Sequence, residues 1–298
     1  MELIDAHVHL WSLATGLYPH FEQPPRAGML GDARGLAGDH RLADLKREAA
    51  DCTGLELAGA INIEANATDA LAETQWLEAE ADADDLPLAL MVAVDLAAPD
   101  ARAQLEAQLA ASARIRGVRQ ILNVHADPAY DYVGRHYMRE PAWRRGFALL
   151  AEYGLSFELQ LYPDQMREAA ELARAQPDTT LLLNHAGMWV DRTLAGWRAW
   201  RDGLRRLAAC PNVAIKLSGL AMLDHRWTVE SLRPQILEAL DAFGSERCLF
   251  GSNFPIDGLF SDYATLMAAW QQIVAGASLD EQRALFAGNA RRYYRLSA

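Results

Sequence analysis

Short runs of hydrophobic residues recur along the chain and alternate with longer segments in which apolar residues lie three and four positions apart. Runs of this length favour strands buried on both faces, and the longer spacing favours amphipathic helices. The predicted strands span residues 3–11, 57–65, 86–96, 115–122, 155–162, 179–187, 213–220 and 248–255. The predicted helices span residues 39–52, 67–83, 99–113, 140–154, 163–176, 194–210, 229–244, 262–276 and 278–296.

Strands that alternate with helices indicate parallel β-α-β units with right-handed crossovers. In a chain of 298 residues, eight such units close most simply as a (β/α)8 TIM barrel, a fold of the α/β class. No repeat, linker or low-complexity segment divides the chain. Residues 1–298 are therefore predicted to form a single barrel domain.

Two predicted connections are long, at residues 12–38 after strand one and 123–139 after strand four. Both follow the carboxyl ends of strands, where barrel enzymes carry their active sites, and loops of this length are commonly functional. We expect them to form walls or lids of a site. Their aromatic, histidine and arginine residues include Tyr18, His20, Phe21, Arg26, Tyr130, Tyr132, Arg135 and His136.

The net charge of the chain limits the kinds of molecule that it is expected to bind. The 28 Lys and Arg residues are outnumbered by 40 Asp and Glu residues, which gives a net charge of −12. This balance disfavours nucleic acid and anionic membranes as partners, so a small-molecule substrate is expected. The three cysteines match no metal or redox spacing, and the amino-terminal residues lack the pattern of a signal peptide. We expect a soluble, cytoplasmic protein.

Histidines end the first predicted strand. Side chains two positions apart share a face of a strand, so Asp5, His7 and His9 are predicted to project the same way. Two imidazoles at this spacing can bind one divalent metal ion through neutral nitrogens. His185 ends the sixth predicted strand and would meet the first two histidines across the barrel mouth. The three histidines are candidate catalytic residues and candidate metal ligands.

Three charged residues, Glu64, Arg119 and Lys216, lie within apolar strands and need partners, because an unpaired buried charge is costly. They could form a structural ring of ion pairs or a polar floor that binds substrate. We favour the functional interpretation for Glu64 and Arg119 and leave Lys216 open. The candidate substrate-binding residues are Trp11, Arg119, His125, Gln160, Tyr162 and Lys216.

The segments IDAHVHLW, GVRQIL, LLLNHAG, VAIKLSGL and LFGSNFP follow one another in this order. Together they resemble the amidohydrolase superfamily, and in particular its amidohydrolase-2 branch, which includes sugar-acid and pyrone dicarboxylate lactonases. The resemblance covers residues 3–296. It implies a TIM barrel whose site uses the His-x-His pair of strand one and an Asp from strand eight.

The chain departs from this pattern at the strand-eight position, where it has Asn253 in GSN and many relatives have GSD. A neutral amide cannot act as a general base, and it is a weaker metal ligand than a carboxylate. No lysine ends strand four to carry a bridging carbamate, since the ionisable residue there is Arg119. A binuclear metal centre is therefore not expected.

The resemblance implies a hydrolase that opens a small, anionic lactone, such as a sugar-acid or aromatic ring-cleavage lactone, by attack of water on the carbonyl. The three histidines would surround the carbonyl, either directly or through one divalent ion such as zinc or manganese. Glu64 or Asp257 would be the base, and Asn253 would orient water or substrate.

Two other functions stay open at this point. One is a metal-dependent decarboxylase of the same superfamily that acts on an aromatic or acrylic acid. The other is a non-catalytic barrel with a degenerate site. The amphipathic outer helices, rich in Ala and Leu, could support a homodimer.

Overall fold

Eight parallel strands follow one another around a barrel in chain order, in a computed structural model that describes residues 1–296. Every predicted strand is present and helices connect them, which confirms the (β/α)8 fold. The strands are β1 (Glu2–Val8), β2 (Glu56–Ile63), β3 (Leu88–Ala93), β4 (Ile115–Arg119), β5 (Ser156–Leu159), β6 (Leu181–Leu183), β7 (Val213–Leu217) and β8 (Cys248–Phe250).

The barrel closes between its first and last strands through residues that lie beyond β8. Val8 and Phe254 form a parallel bridge, and the amide of His9 donates to the carbonyl of Phe254 at 2.8 Å. The amide of Asn253 donates to the carbonyl of His7 at 2.7 Å. The predicted eighth strand is therefore shorter than expected, and its last residues form an irregular segment along the edge of β1.

Helices pack around the barrel, and two short ones lie within loops. The helices are α1 (Pro19–Glu22), α2 (Leu42–Ala49), α3 (Ala70–Asp82), α4 (Ala101–Ala111), α5 (Pro141–Glu152), α6 (Met166–Ala175), α7 (Leu194–Ala208), α8 (Leu220–Leu223), α9 (Val229–Phe243), α10 (Tyr263–Ile273), α11 (Leu279–Arg283) and α12 (Asn289–Tyr293). The last helix predicted over 278–296 is present as an unbroken helical segment from Leu279 to Tyr293, in which a π-helical turn at Ala284–Gly288 joins α11 to α12. The short α8 lies in the loop after β7 and was not predicted.

The amino-terminal end of the barrel is filled from below by the C-terminal segment. Apolar interior residues such as Ile4 and Ile61 form one cluster with Ala290 and Tyr294. The amide of Asn289 donates to two carbonyls beside the start of β8, those of Ser245 and Cys248.

A buried ion pair lies in the barrel interior, next to the C-terminal segment. Lys216 Nζ lies 2.7 Å from Glu158 Oε2, and the hydroxyl of Tyr294 donates to Glu158 Oε1 at 2.5 Å. Asn184 also donates to this carboxylate. Burial lowers the pKa of Lys216 to about 8, although Glu158 opposes this shift. Lys216 therefore takes part in an ion-pair network inside the barrel, and a role in substrate binding stays a prediction.

A bulge in β1 overturns the prediction that Asp5 shares a face with the two histidines. Asp5 pairs with Ala60 and Val8 pairs with Asn62, so β1 has one more residue than β2 in this interval. Asp5 faces outward, where it accepts hydrogen bonds from the amide of Ser252 and the hydroxyl of Tyr263 on α10. The extra residue turns His7 inward, because it shifts the strand's alternation by one position.

Long loops follow β1 and β4, as expected. The first runs from β1 to α2 and includes α1, and the second runs from β4 to α5. Among residues 1–296, no helix is both long and apolar enough to cross a membrane.

Candidate active site

A small cavity of about 120 Å³ lies at the carboxyl ends of the strands. Its walls come from strand ends and from the loops after β1, β2, β4, β7 and β8. The lining residues are His9, Phe21, Met29, Leu30, Ala65, Asn66, Arg119, Ile121, Tyr132, Gln160, His185, Met222, Asn253 and Ile256. This is the end of a TIM barrel at which catalytic side chains are normally placed.

The three predicted histidines meet at the base of this cavity. The rings of His7 and His9 have centroids 5.0 Å apart, and those of His7 and His185 are 4.6 Å apart. His9 and His185 line the cavity, whereas His7 lies beneath them and is fully buried. The convergence predicted from the sequence is therefore present.

His185 and Asn253 reach the cavity from left-handed backbone conformations after short strands. Their φ angles are 53° and 60°, which non-glycine residues seldom adopt. Such conformations cluster at functional sites, where the surrounding structure holds them in place. Gly219 makes the conformation of His185 possible, because a Cβ atom at position 219 would lie 2.3 Å from His185 Nδ1.

Hydrogen bonds set the proton positions of the three imidazoles. His9 Nδ1 lies 2.9 Å from the carbonyl of Ile63, so this nitrogen carries the proton and Nε2 is an acceptor. His7 Nε2 lies 3.3 Å from His9 Nε2 and therefore donates to it. This leaves His7 Nδ1 as a bare acceptor, which is buried and has no partner among the described residues.

His185 has one nitrogen available to a substrate. Its Nδ1 lies 3.1 Å from Ser218 Oγ, and the Ser218 backbone also favours a proton on this ring. With the proton on Nδ1, Nε2 is an acceptor that faces the cavity and has no partner among residues 1–296. A neutral imidazole oriented in this way can take a proton from water.

Burial keeps all three imidazoles neutral. Burial lowers the pKa of His9 to about 3, and the nearby Arg119 cation acts in the same direction. Burial likewise holds the pKa of His185 well below its usual range, with Arg119 and then Lys216 contributing. The pKa of His7 is depressed by burial and then by Lys216. The site therefore presents nitrogen lone pairs rather than imidazolium ions near neutral pH.

Arg119 is held in a fixed orientation beside the histidines. Its Nε donates to Glu64 Oε1 at 2.5 Å, its Nη1 donates to Gln160 Oε1 at 2.9 Å, and its Nη2 donates to the Glu64 carbonyl at 3.2 Å. A guanidinium carries five N–H groups, so two have no partner among the described residues. Because Arg119 lines the cavity, these two groups can bind a carboxylate or a carbonyl oxygen.

The two carboxylates expected to act as the base lie behind cavity residues. Glu64 Oε1 binds Arg119, and its Oε2 accepts from the amide of Asn66 at 2.8 Å. Asp257 Oδ1 accepts from the side-chain amide of Asn253 at 2.8 Å and from the backbone amide of Met222 at 3.2 Å. Burial raises the pKa of Asp257 to about 7. Each carboxylate thus orients a lining side chain, because its oxygens are already occupied by N–H donors.

Four of the six candidate substrate-binding residues do not line the cavity. Trp11 is buried in the first loop, where its ring stacks on Phe21 with centroids 3.9 Å apart. His125 packs edge-on against Tyr162, whose hydroxyl donates to the carbonyl of Tyr130 at 2.8 Å. Lys216 lies deeper in the barrel, with Glu158. Only Arg119 and Gln160 of this set line the cavity.

The long loops contribute fewer side chains than the sequence suggested. Phe21 and Tyr132 line the cavity, and Tyr132 stands at its rim with 59% of its surface exposed. Tyr18 donates to Glu73 instead, and His20 bonds the carbonyl of Ala65. Arg135 forms an ion pair with Glu140 outside the cavity. Arg26 and His136 also do not line it.

Sequence reasoning missed two groups that support the site from behind. Glu73 on α3 accepts from the amide of Ala65 at 2.9 Å and from Tyr18 at 3.1 Å. Burial, with the charge of Glu64, raises the pKa of Glu73 to about 8. Met222, from the unpredicted α8, forms part of the cavity wall. An acidic residue on the buried face of a predicted helix is a signal that could have revealed Glu73.

The cavity residues provide an incomplete set of ligands for a divalent metal ion. The 3.3 Å between His7 Nε2 and His9 Nε2 suits two ligands of one ion, since Zn–N bonds of about 2.1 Å at a tetrahedral angle give roughly this separation. Among residues 1–296, however, no three His, Cys, Asp or Glu side chains are grouped to hold a metal. An amide stands at the strand-eight position, and Arg119 and Lys216 add positive charge. The residues present do not fit a resident metal.

Comparison with protein families gives a match over nearly the whole chain. The family model described as Amidohydrolase (Amidohydro_2) matches residues 4–296. The resemblance inferred from five short motifs is thus confirmed over the same length of chain.

Relatives and solved structures of known origin also match from end to end. An uncharacterized protein, y4mH, of Sinorhizobium fredii is 39% identical over 99% of this chain and 98% of its own. An L-fucono-1,5-lactonase of Burkholderia multivorans is 29% identical over 98% of this chain and 96% of its own. Crystal structures of an amidohydrolase from Burkholderia multivorans with bound HEPES and with bound zinc have TM-scores of 0.83 and 0.82. Both are 26% identical and cover 100% of each chain.

Proposed function

The chain belongs to the Amidohydro_2 amidohydrolase family, and on this premise we propose that it opens a small, anionic lactone by adding water to the carbonyl. One observation carries the proposal. Two unpartnered N–H groups of Arg119 and the bare Nε2 of His185 border the same small cavity. An electrophile and a base thus share one site. The named lactonase among the relatives supports the same reaction class.

The proposed reaction uses only groups of this chain. Arg119, held by Glu64 and Gln160, binds the carbonyl oxygen or a carboxylate beside it and stabilises the negative charge that develops. His185 Nε2 takes a proton from water as the water oxygen bonds to the carbonyl carbon. The bond between that carbon and the ring oxygen then breaks, and the ring oxygen receives the proton from His185. The product is a hydroxy acid.

This assignment moves the base from the carboxylates favoured by the sequence to His185. Glu64 and Asp257 act as positioning residues, because each holds a lining side chain and neither reaches the cavity. Asn253 contributes an amide whose orientation Asp257 fixes. A lactone suits a weakly basic imidazole, since its alkoxide or enolate leaving group departs more readily than an amine.

A panel of lactones, followed by acid release with a pH indicator, tests the proposal directly. Hydrolysis of at least one anionic lactone is expected, with a higher kcat/KM than for simple esters of the same acids. The alternative within the family is decarboxylation, for which the panel includes aromatic acids and a carbon dioxide detector. Carbon dioxide release without any lactone hydrolysis would replace the proposal with that alternative.

Metal removal is expected to leave the reaction intact. Protein purified without a chelator or a histidine tag should contain well below one zinc or manganese per chain by elemental mass spectrometry. Lactone hydrolysis should be unchanged after dialysis against EDTA, because the chain's own donor set is incomplete. One metal ion per chain, with activity lost on chelation and restored by zinc, would contradict this expectation and make the histidines ligands.

Exchange of Asn253 for a carboxylate is expected to lower activity. The side-chain amide of Asn253 now donates to Asp257 Oδ1 at 2.8 Å. Asn253→Asp would replace this donor with a second carboxylate. Two carboxylates this close cannot both ionise, so the side chain would rotate or take up a proton. We expect kcat/KM to fall about ten- to a hundredfold.

The matched control exchanges the two residues. The double variant Asn253→Asp/Asp257→Asn restores one amide donor and one carboxylate acceptor, and should recover at least part of the loss. A rise in activity for Asn253→Asp alone would instead identify a degenerate site that lacks its proton carrier.

A further inference from the structure

A larger groove adjoins the cavity. It encloses about 570 Å³ and lies among the loops that follow β1, β4, β6 and β7. Met29 and Met222 line both the cavity and the groove, so the two spaces adjoin at these side chains. A ligand held by Arg119 could therefore extend past the two methionines into the groove.

The inner cavity is much smaller than the groove, with a volume of about 120 Å³ against about 570 Å³. A long substituent on a ring bound there would extend beyond the cavity, and the groove lies next to the cavity at Met29 and Met222. The groove is therefore placed to contact such a substituent.

Two arginines give the groove a cationic wall. Arg226 is exposed, and its side chain forms no ion pair or hydrogen bond with the described residues. The guanidinium of Arg192 lies over Trp189 at 4.4 Å and donates to the carbonyl of Leu223 at 3.0 Å. No carboxylate of residues 1–296 forms a salt bridge with either arginine. Burial lowers the pKa of Arg192, and the charge of Asp224 opposes this shift, so Asp224 lies near enough to act on this arginine.

One carboxylate, that of Asp224, also lines the groove. Its Oδ2 accepts a hydrogen bond from Ser231 at 2.8 Å. The groove also contains His225, whose Nε2 lies 3.0 Å from the carbonyl of Met29 and whose ring stacks on Phe260. The groove lining has two arginines and one carboxylate, so its net charge is positive, although the net charge of the whole chain is −12. Such a wall favours an anionic ligand group.

We propose that the groove binds a second anionic group, a carboxylate or a phosphate, carried on a chain that extends from the lactone ring. The inference rests on the proposed function, because that function identifies the ring as a lactone. The second anionic group is inferred from the residues that line the groove. The substrate class is then a lactone with a distal acid group. Arg192 and Arg226 are its specificity-determining residues.

Binding of straight-chain diacids tests the groove without any reaction. Dicarboxylates of four to eight carbons, the matching monocarboxylates and ω-phosphonocarboxylates of the same lengths are titrated by calorimetry. At one length or more, a diacid should bind about three- to tenfold more tightly than its monoacid, as expected for a partly exposed ion pair. The comparison with the phosphonates shows whether the groove prefers carboxylate or phosphate.

Variants decide whether the two arginines cause this preference. Arg192→Ala/Arg226→Ala should abolish the advantage of the second anion and leave monoacid binding unchanged. Arg206→Ala removes an exposed charge from α7 outside the groove and should keep the advantage. If the wild type shows no advantage at any length, or if the double variant keeps it, the proposal is overturned.

A pair of lactones links the groove to turnover. D-Glucaro-1,4-lactone and D-glucono-1,4-lactone differ at the distal carbon, which is a carboxylate in the first and a hydroxymethyl group in the second. The wild type should favour the first through a lower KM, and the double variant should treat both alike. If neither lactone nor any other in the panel is hydrolysed, the proposed function fails, while the diacid titrations still decide the groove.

Discussion

Replacement of His185 by glutamine is expected to lower kcat for lactone opening by about a thousandfold, within the range found for loss of a general base. His185 Nε2 is the bare imidazole nitrogen that faces the cavity, while Nδ1 is oriented by Ser218. Glutamine can fill the volume and accept a hydrogen bond from water, but it cannot hold the proton. KM should change little, because the lost interaction is made mainly in the transition state.

The pH profile separates this base from the carboxylate alternative. Burial depresses the pKa of His185, so the imidazole stays unprotonated as the pH falls through 6.5, and the wild-type kcat/KM should decline only at more acidic pH. That acid limb should vanish in His185→Gln. A limb near pH 7 in both proteins would point to Asp257, whose pKa is about 7, and would contradict our assignment. His136→Gln, at an exposed loop position, is the matched control.

Replacement of Arg119 by methionine is expected to reduce both turnover and stability. It removes the cation that would stabilise the developing oxyanion, which should lower kcat/KM by about a thousandfold. It also leaves Glu64 without its ion-pair partner, in a position where both side chains are 4% exposed. Breaking a buried pair of this kind lowers the free energy of unfolding by about 3–5 kcal/mol. Urea denaturation and steady-state kinetics measure the two effects.

A second substitution can separate the two effects of Arg119. Arg119→Met/Glu64→Gln removes the stranded carboxylate, so most of the stability should return while the activity stays low. Arg119→Lys keeps the charge but loses the planar fork, and should retain more activity than the methionine variant. Arg116→Met, on the same strand with its Nη1 bonded to backbone carbonyls, is the control. Normal activity in the double variant would remove Arg119 from the proposed chemistry.

The sequence predicted the fold well because a barrel depends on repeated, regular features. Eight apolar runs separated by helical spacing are enough to identify parallel strands, and the strand order follows from the crossovers. Polar residues at the carboxyl ends of those runs, such as His9, Arg119 and Gln160, were placed near the site for the same reason. Their convergence required only that the sheet close.

The finer arrangement of the site depends on local irregularities that carry no periodic signal. A single bulge in β1 separates Asp5 from His7, which strict alternation would have kept together. His185 and Asn253 lie in left-handed turns beyond the strands rather than within them. Glu64 and Asp257 were recognised as important, but a sequence does not show that their oxygens are taken by neighbouring N–H groups.

The contact between Tyr294 and Glu158 has a consequence for the order in which the barrel matures during synthesis. The carboxylate that balances Lys216 lies just past the middle of the chain, whereas the hydroxyl that completes its hydrogen bonds lies 136 positions later. We expect the pair of Lys216 and Glu158 to stay accessible to water from the amino-terminal end of the barrel until the segment that carries Tyr294 has been synthesised. The pair would then lose its hydration when this final helical segment docks.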